Sequence, residues 1–257
     1  MLSIRELTKR FGSQTAVDHL TLEAPAGQII GLVGPNGAGK TTTLKMITGM
    51  LQPDSGSAEV GGFDIVTQPL EAKRVLGFVP DSGAVYESLT GMEYLLMVAA
   101  LYGINEAEAV GRISRFMDFF ELDLSTLESK LLGAFSKGMR RKVVITSALL
   151  HNPKIVFLDE PLDGLDANAA VGFKALLETL AKEGKTIVYS SHILDVVERV
   201  CDRVAMIHQG KLIADGTPAE LLAKHGVKSL EAMFTQLTGQ HDALQRAESF
   251  ARDVLAR

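Results

Sequence analysis

Much of what would place this chain in another class is missing from it. Among its 257 residues there is one cysteine, Cys201, so neither an internal disulfide nor a CxxC metal site can form, and a reducing compartment is expected. No run approaches the roughly 18 consecutive apolar residues of a membrane span, although the mean hydropathy is +0.16. The opening MLSIRELTKR has no apolar core of the kind a secretion signal needs. Basic charge is not in excess: 26 Lys and Arg stand against 31 Asp and Glu, a net of −5, which argues against a chain that coats nucleic acid. Internal repeats and low-complexity tracts are absent. A composition of 46% hydrophobic and 22% charged residues excludes wholesale disorder. What remains is a cytosolic protein of one subdivided domain, or two small ones, with no nucleic-acid partner.

The first third reads as short strands. Leu20, Leu22 and Ala24 alternate with polar neighbours, and Gln28 to Val33 is a nearly continuous apolar run suited to a strand covered on both faces. A glycine-rich turn follows, and then Leu44, Ile47 and Leu51 fall at helical spacing. Between about 82 and 150 the pattern becomes helical. Thr90 and Glu93 form a capping box before Met92, Leu95, Leu96 and Ala99, with Gly103 as a stop, and Val110, Ile113, Phe116 and Phe120 make the next stripe. Strand and helix then alternate: Ile155–Leu158, a helix through Phe173, Leu176, Leu177 and Leu180, a strand at Thr186–Tyr189, and a helix through Ile193, Val196, Val197 and Val200. Gln209-Gly210 reads as a hairpin turn. Thr217-Pro218-Ala219-Glu220 caps a further helix, Leu230, Met233, Phe234 and Leu237 share a face, and the end of the chain reads as a charged amphipathic helix. The pattern predicts a parallel-sheet α/β core with a helical insertion.

Gly34-Pro35-Asn36-Gly37-Ala38-Gly39-Lys40-Thr41 matches G-x-x-x-x-G-K-[ST] without a gap. The glycines let the backbone wrap an anion with its N–H groups inward, and the following helix adds its positive end. Lys40 is suited to β- and γ-phosphate oxygens, and the Thr41 hydroxyl, beside Thr42, to a Mg²⁺ ion. Far along the chain, Ile155-Val-Phe-Leu-Asp159-Glu160-Pro161 puts two carboxylates at the end of a buried strand, the edge of an α/β sheet where ligands bind. Asp159 can hold Mg²⁺ through its water shell, and Glu160 can polarise an attacking water.

These residues resemble those of the ATP-binding-cassette (ABC) ATPases, and the resemblance runs to about residue 216. It implies an α/β fold: a P-loop NTPase core of ABC type with an antiparallel β subdomain and a helical insertion. The expected divisions are 1–81 and 141–216 for the ATP-binding core, 82–140 for the helical subdomain, and 217–257 for a helical tail. By the same resemblance His192, in Ser190-Ser191-His192, is the switch histidine that contacts the γ-phosphate. Phe11 stands where the family stacks an aromatic on adenine; otherwise it is a core phenylalanine. Leu162-Asp163-Gly164-Leu165-Asp166 matches the loop by which two such domains touch. Phe135-Ser136-Lys137-Gly138-Met139-Arg140 is a variant of the signature that meets ATP held by the other subunit, with Ser136 and Gly138 retained. The basic run Arg140-Arg141-Lys142 reads as a solvated face or a partner to acidic loops. Where the family has a glutamine, this chain has Asp81, which either takes over a metal contact or caps the next segment.

The resemblance implies an ATPase subunit of an exporter that binds ATP and Mg²⁺. It implies pairing with a second copy or a paralogue, and membrane subunits on separate chains, at the inner face of the cell membrane. A soluble ABC ATPase with a task such as cofactor assembly is the second reading. A regulatory nucleotide-binding module and a small-molecule kinase rank below it.

Overall fold

The apolar patterning resolves into two stacked sheets with helices around them. In the computed structural model, which describes residues 1–239 with 250 and 254, the chain opens with β1 (Leu2–Phe11), β2 (Gln14–Ala24), β3 (Ile29–Val33), α1 (Lys40–Ile47), β4 (Ser55–Val60) and β5 (Phe63–Asp64). Next come α2 (Pro69–Val75), β6 (Leu76–Val79) and the helices α3 (Gly91–Leu101), α4 (Glu106–Phe119), α5 (Leu124–Ser129) and α6 (Lys137–Leu149). The rest alternates: β7 (Ile155–Asp159), α7 (Ala167–Lys182), β8 (Thr186–Ser191), α8 (Leu194–Val200), β9 (Arg203–His208), β10 (Lys211–Gly216), α9 (Pro218–His225) and α10 (Leu230–Thr238). The expected C-terminal amphipathic helix lies largely outside the described residues.

The central sheet has the order β10-β9-β3-β8-β7-β6 and is parallel except for the terminal β9–β10 hairpin, which turns at Gln209-Gly210 as expected. Its middle strands β3, β7 and β8 are buried at every residue, the mark of a sheet covered on both faces. One face packs with α1 against an antiparallel sheet of order β2-β1-β4-β5, burying Leu7, Leu20, Leu32, Leu44 and Phe157. The other face carries α7, α8 and α10 and buries Phe173, Leu177, Tyr189 and Phe234. A third cluster, around Leu95, Ile113, Met117 and Leu127, holds the helical insertion together. Each such side chain contributes about 1.5–3 kcal/mol relative to exposure. Helix α6 crosses position 140, burying Val143 with the insertion and Val144, Ile145 and Ala148 with the core.

Both expected capping boxes form, at Thr90/Glu93 and at Thr217/Glu220. Some expected core positions shift. On α4 the buried line is Ala109, Ile113 and Met117, continuing to Phe120; Ile113 and Phe120 are buried as anticipated, Phe116 is half-buried, and Val110 is exposed because Ala109 takes the inward position of that turn. Helix α1 stops at Ile47, so Leu51 packs from the turn beyond it. Ile193 and Leu237 are exposed. Among the described residues no helix is long and apolar enough to cross a membrane.

Candidate active site

Strands β3, β7 and β8 all end at one edge of the central sheet, and a cleft of about 770 Å³ opens there. The backbone leaving β3 enters α1 through Gly39 at φ 108°, left-handed geometry that suits glycine. A Cβ at Gly39 would also lie 2.4 Å from the Ala16 carbonyl oxygen. The first turn of α1 has neither a capping side chain nor an acidic residue, so its positive end faces the cleft free to receive an anion. Asn36, Gly37, Ala38, Gly39, Lys40, Thr41 and Thr42 line the cleft. Gly34 and Pro35 act behind it: their carbonyl oxygens accept hydrogen bonds from Lys40 Nζ at 2.6 and 3.1 Å. Burial pushes the Lys40 ammonium below its ordinary pKa, against the pull of Glu160 and Asp159.

Facing the loop, Thr41 Oγ1 donates to Asp159 Oδ2 at 2.9 Å. Burial raises the Asp159 pKa, the Thr41 bond and the nearby Ser190 hydroxyl oppose it, and the charges of Asp81 and Glu160 raise it further. Its register neighbour on β8, Ser190, has a buried hydroxyl with no hydrogen-bond partner. Hard oxygen donors, with the Thr41 and Asp159 side chains bonded to each other and Asp81 and Glu160 adding negative charge, make this corner fit a Mg²⁺ ion. Among the described residues no three His, Cys, Asp or Glu side chains are grouped to hold a metal alone. An ion here would therefore complete its shell with phosphate oxygens and water.

Glu160 follows with left-handed backbone, φ 46°, a conformation a non-glycine residue keeps only when its surroundings hold it. Its Oε1 accepts from the His192 backbone N–H at 2.8 Å and lies 2.6 Å from His192 Nδ1, and its Oε2 accepts from the Ser191 hydroxyl at 3.0 Å. Two of the three expected catalytic side chains, Glu160 and His192, are thus brought together, and the third, Lys40, lines the same cleft. Asp81 lines the same cleft. It caps no helix, since the next begins at Gly91 under Thr90.

Phe11 is 51% exposed at the cleft mouth, which excludes the core reading, and the Lys9 ammonium stands 5.8 Å from its ring centre. Its strand partner Gln14, and Ala16, line the cleft as well. The sequence reading passed over both, and the β1–β2 hairpin register is what brings them there. Ser136 and Gly138 lie outside the cleft. Ser136 caps α6 by accepting from Met139 N–H at 3.2 Å, and its exposed end suits a ligand held by another chain. The basic run divides. Arg140 pairs with Glu87 and Lys142 with Asp166, as partners to acidic loops. Arg141 is only 3% exposed, contrary to a solvated face, because carbonyl-rich loops surround it.

Comparison with known proteins agrees with this geometry. A protein-family model described as "ABC transporter" matches residues 17–163. The chain is 38% identical over 240 residues to the ABC transporter ATP-binding protein NatA of Bacillus subtilis, covering 91% of this chain and 96% of that one. It is likewise 38% identical over 245 residues to the bacitracin transport ATP-binding protein BcrA of Bacillus licheniformis, covering 95% and 77%. A solved structure of an ATP-binding subunit of an ABC transporter superposes with a TM-score of 0.87 at 32% identity, covering 93% of this chain and 99% of that one.

Proposed function

From the premise that the chain belongs to the ABC transporter family, as an ATP-binding and ATP-hydrolysing subunit, we propose that it is the motor of an exporter. It works at the inner face of the cell membrane, as a dimer around two ATP molecules, with membrane subunits supplied by other polypeptides. The observation that carries this reading is the juxtaposition of Thr41, Asp159, Glu160 and His192 at the edge of one sheet, opposite a loop built for phosphate.

Phe11 would stack on the adenine, the 34–42 loop would cradle the phosphates, and Lys40 would leave the Gly34 and Pro35 carbonyls for the β- and γ-phosphate oxygens. Thr41 and Asp159, with Asp81 from the facing loop, would hold Mg²⁺, which supplies charge neutralisation on the triphosphate. Glu160 accepts the proton of the attacking water, and His192, held beside that carboxylate, contacts the γ-phosphate, giving ADP and phosphate from ATP and water. Ser136 and Gly138 serve the partner's ATP, so closure of the dimer completes each site. Positioning and charge neutralisation supply most of the rate. The bacitracin-transport name of one relative and the daunorubicin/doxorubicin-resistance name of another support export.

The test is Glu160→Gln. In Mg-ATP the variant should accumulate as a dimer on size-exclusion chromatography with hydrolysis abolished, while the parent turns over. A variant that stays strictly monomeric would overturn the shared-site mechanism.

A further inference from the structure

Arg141 lies on the second turn of α6, buried, and among the described residues it has no carboxylate partner within ion-pair distance. All three of its hydrogen bonds go to main-chain oxygens. Nε donates to Asp163 O at 3.2 Å, Nη1 to Pro80 O at 2.6 Å and Nη2 to Glu160 O at 2.6 Å. Those oxygens belong to three separate parts of the site: the end of β6 just before Asp81, the end of β7, and the loop that follows it. A guanidinium presents five N–H donors in a rigid plane and can serve three divergent acceptors at once, whereas a lysine ammonium is a single point on a flexible stem.

The Glu160 end of this arrangement is unusual. Its backbone is left-handed, its N–H donates to Ser190 O at 3.0 Å, and its carbonyl accepts from Arg141. Without the Arg141 bond the peptide after Glu160 loses its shortest restraint, and only the 3.2 Å bond from the Asp163 N–H holds that oxygen. The direction of the Glu160 carboxylate is set from both ends: by this backbone, which places its Cα, and by its contacts with Ser191 and His192.

We propose that Arg141 is a positioning residue for ATP hydrolysis. It pins the main chain of Glu160 so that the carboxylate is aimed at the attacking water, and it ties this aim to helix α6 and to the segment before Asp81. Helix α6 is capped by Ser136, the residue assigned to the partner's ATP, so a displacement of that helix moves the Glu160 backbone through one side chain. This inference rests on Glu160 being the general base.

The experiment compares the full-length parent with Arg141→Lys, Arg141→Gln and Glu160→Gln. Steady-state hydrolysis, titration with a fluorescent ATP analogue and thermal unfolding are measured on each. For Arg141→Lys, kcat should fall on the order of 10- to 100-fold while ATP affinity stays within about twofold, the signature of a misaimed group in a folded site. Arg141→Gln should fall further, so that lysine rescues part of the loss. A folded Arg141→Lys chain with parental kcat, or one whose affinity falls as far as its kcat, overturns the proposal. So does the unfolding of both arginine variants, which would make Arg141 a structural strut. An active Glu160→Gln chain overturns the general-base reading itself. An inactive Glu160→Gln beside a fully active Arg141→Lys overturns Arg141 alone.

Discussion

The Thr41 hydroxyl reaches Asp159 at 2.9 Å and ties the first turn of α1 to the end of β7 across 118 positions of sequence. That bond only partly offsets what the site costs. Asp159 is 2% exposed, and burial, with Asp81 and Glu160 adding to it, raises its pKa above the ordinary 3.8. An acid whose pKa folding has raised favours the fold while protonated, and this contribution is lost as the pH rises through the raised value. At neutral pH the nucleotide-free chain therefore carries the cost of a buried charge. Asp159→Asn should raise the melting temperature by about 2–4 °C for each kcal/mol relieved. Mg-ATP turnover should fall on the order of 100-fold or more as several kcal/mol of charge stabilisation disappear. Thermal scans decide it: the gap between variant and parent should be present at pH 7 and close on acidification. A variant that melts below the parent at neutral pH would show that the carboxylate stabilises the empty site.

Asp81 faces Thr41 and Asp159 across the same cleft, and its charge is one of the causes that lift the Asp159 pKa. Two carboxylates lining one cleft with the Thr41 hydroxyl suit a divalent cation. Asp81→Ala should raise the Mg²⁺ concentration for half-maximal turnover about tenfold, with binding of metal-free ATP unchanged or improved because one repelling charge is gone. Asp81→Gln, which restores the family's neutral amide, should recover part of the Mg²⁺ dependence. An unaltered Mg²⁺ titration in both variants would remove Asp81 from the metal site.

What the sequence made legible is what neighbours in sequence decide. The phosphate loop runs unbroken over Gly34–Thr41, the capping boxes at Thr90 and Thr217 each span four positions, and β3, β7 and β8 announce themselves as apolar runs. Arg141 escaped because its partners are main-chain oxygens 61, 19 and 22 residues away, and nothing in an Arg-Arg-Lys run marks which member turns inward. Gln14 and Ala16 reach the cleft through a hairpin register that composition does not encode. Val110 faces outward for a smaller reason: Ala109 and Val110 are adjacent apolar residues about 100° apart on the helix, and apolarity alone does not say which of the two turns inward beside Ile113. The left-handed turn at Glu160 has no local signal, since it is held by Ser190 and Arg141 rather than by its own propensity.

Gly138 sits in the first turn of α6 against the loop after β7. A Cβ there would lie 2.6 Å from the Gly164 carbonyl oxygen, a backbone atom with no side chain to swing aside. Gly138→Ala must therefore push the signature helix away from the 162–166 loop, at a cost of about 1–3 kcal/mol in stability. Gly138 does not itself line the variant's own ATP cleft, and the phosphate-loop residues 36–42 lie on other elements, so nucleotide binding to the single chain should stay within about twofold. Hydrolysis needs the displaced helix at the partner's ATP and should fall at least about tenfold. Nucleotide titration beside steady-state hydrolysis separates the two effects. Full activity in Gly138→Ala would place the shared surface elsewhere.

Membrane subunits of the proposed exporter would need an apolar foothold near the site, and the segment after Asp81 has exposed apolar side chains that suit one. Tyr86 is 63% exposed and its ring stands 6.4 Å from that of Tyr94, while Leu131, bridged to Thr90, is 49% exposed. An exposed tyrosine of this kind is the residue type that carries interface energy, with truncation costing on the order of 2 kcal/mol, roughly thirtyfold in affinity. Tyr86→Ala and Leu131→Ala lie outside the cleft lining, so hydrolysis by the isolated chain should remain near parental. Recovery of a multi-span partner with the tagged chain from gently solubilised membranes should drop sharply for Tyr86→Ala and less for Leu131→Ala. If the parent recovers such a partner in equal amount and both variants do the same, the docking surface is not this one. If the parent recovers only soluble partners while hydrolysing ATP, the exporter reading gives way to the non-transport one, and the roles of Glu160 and His192 stand.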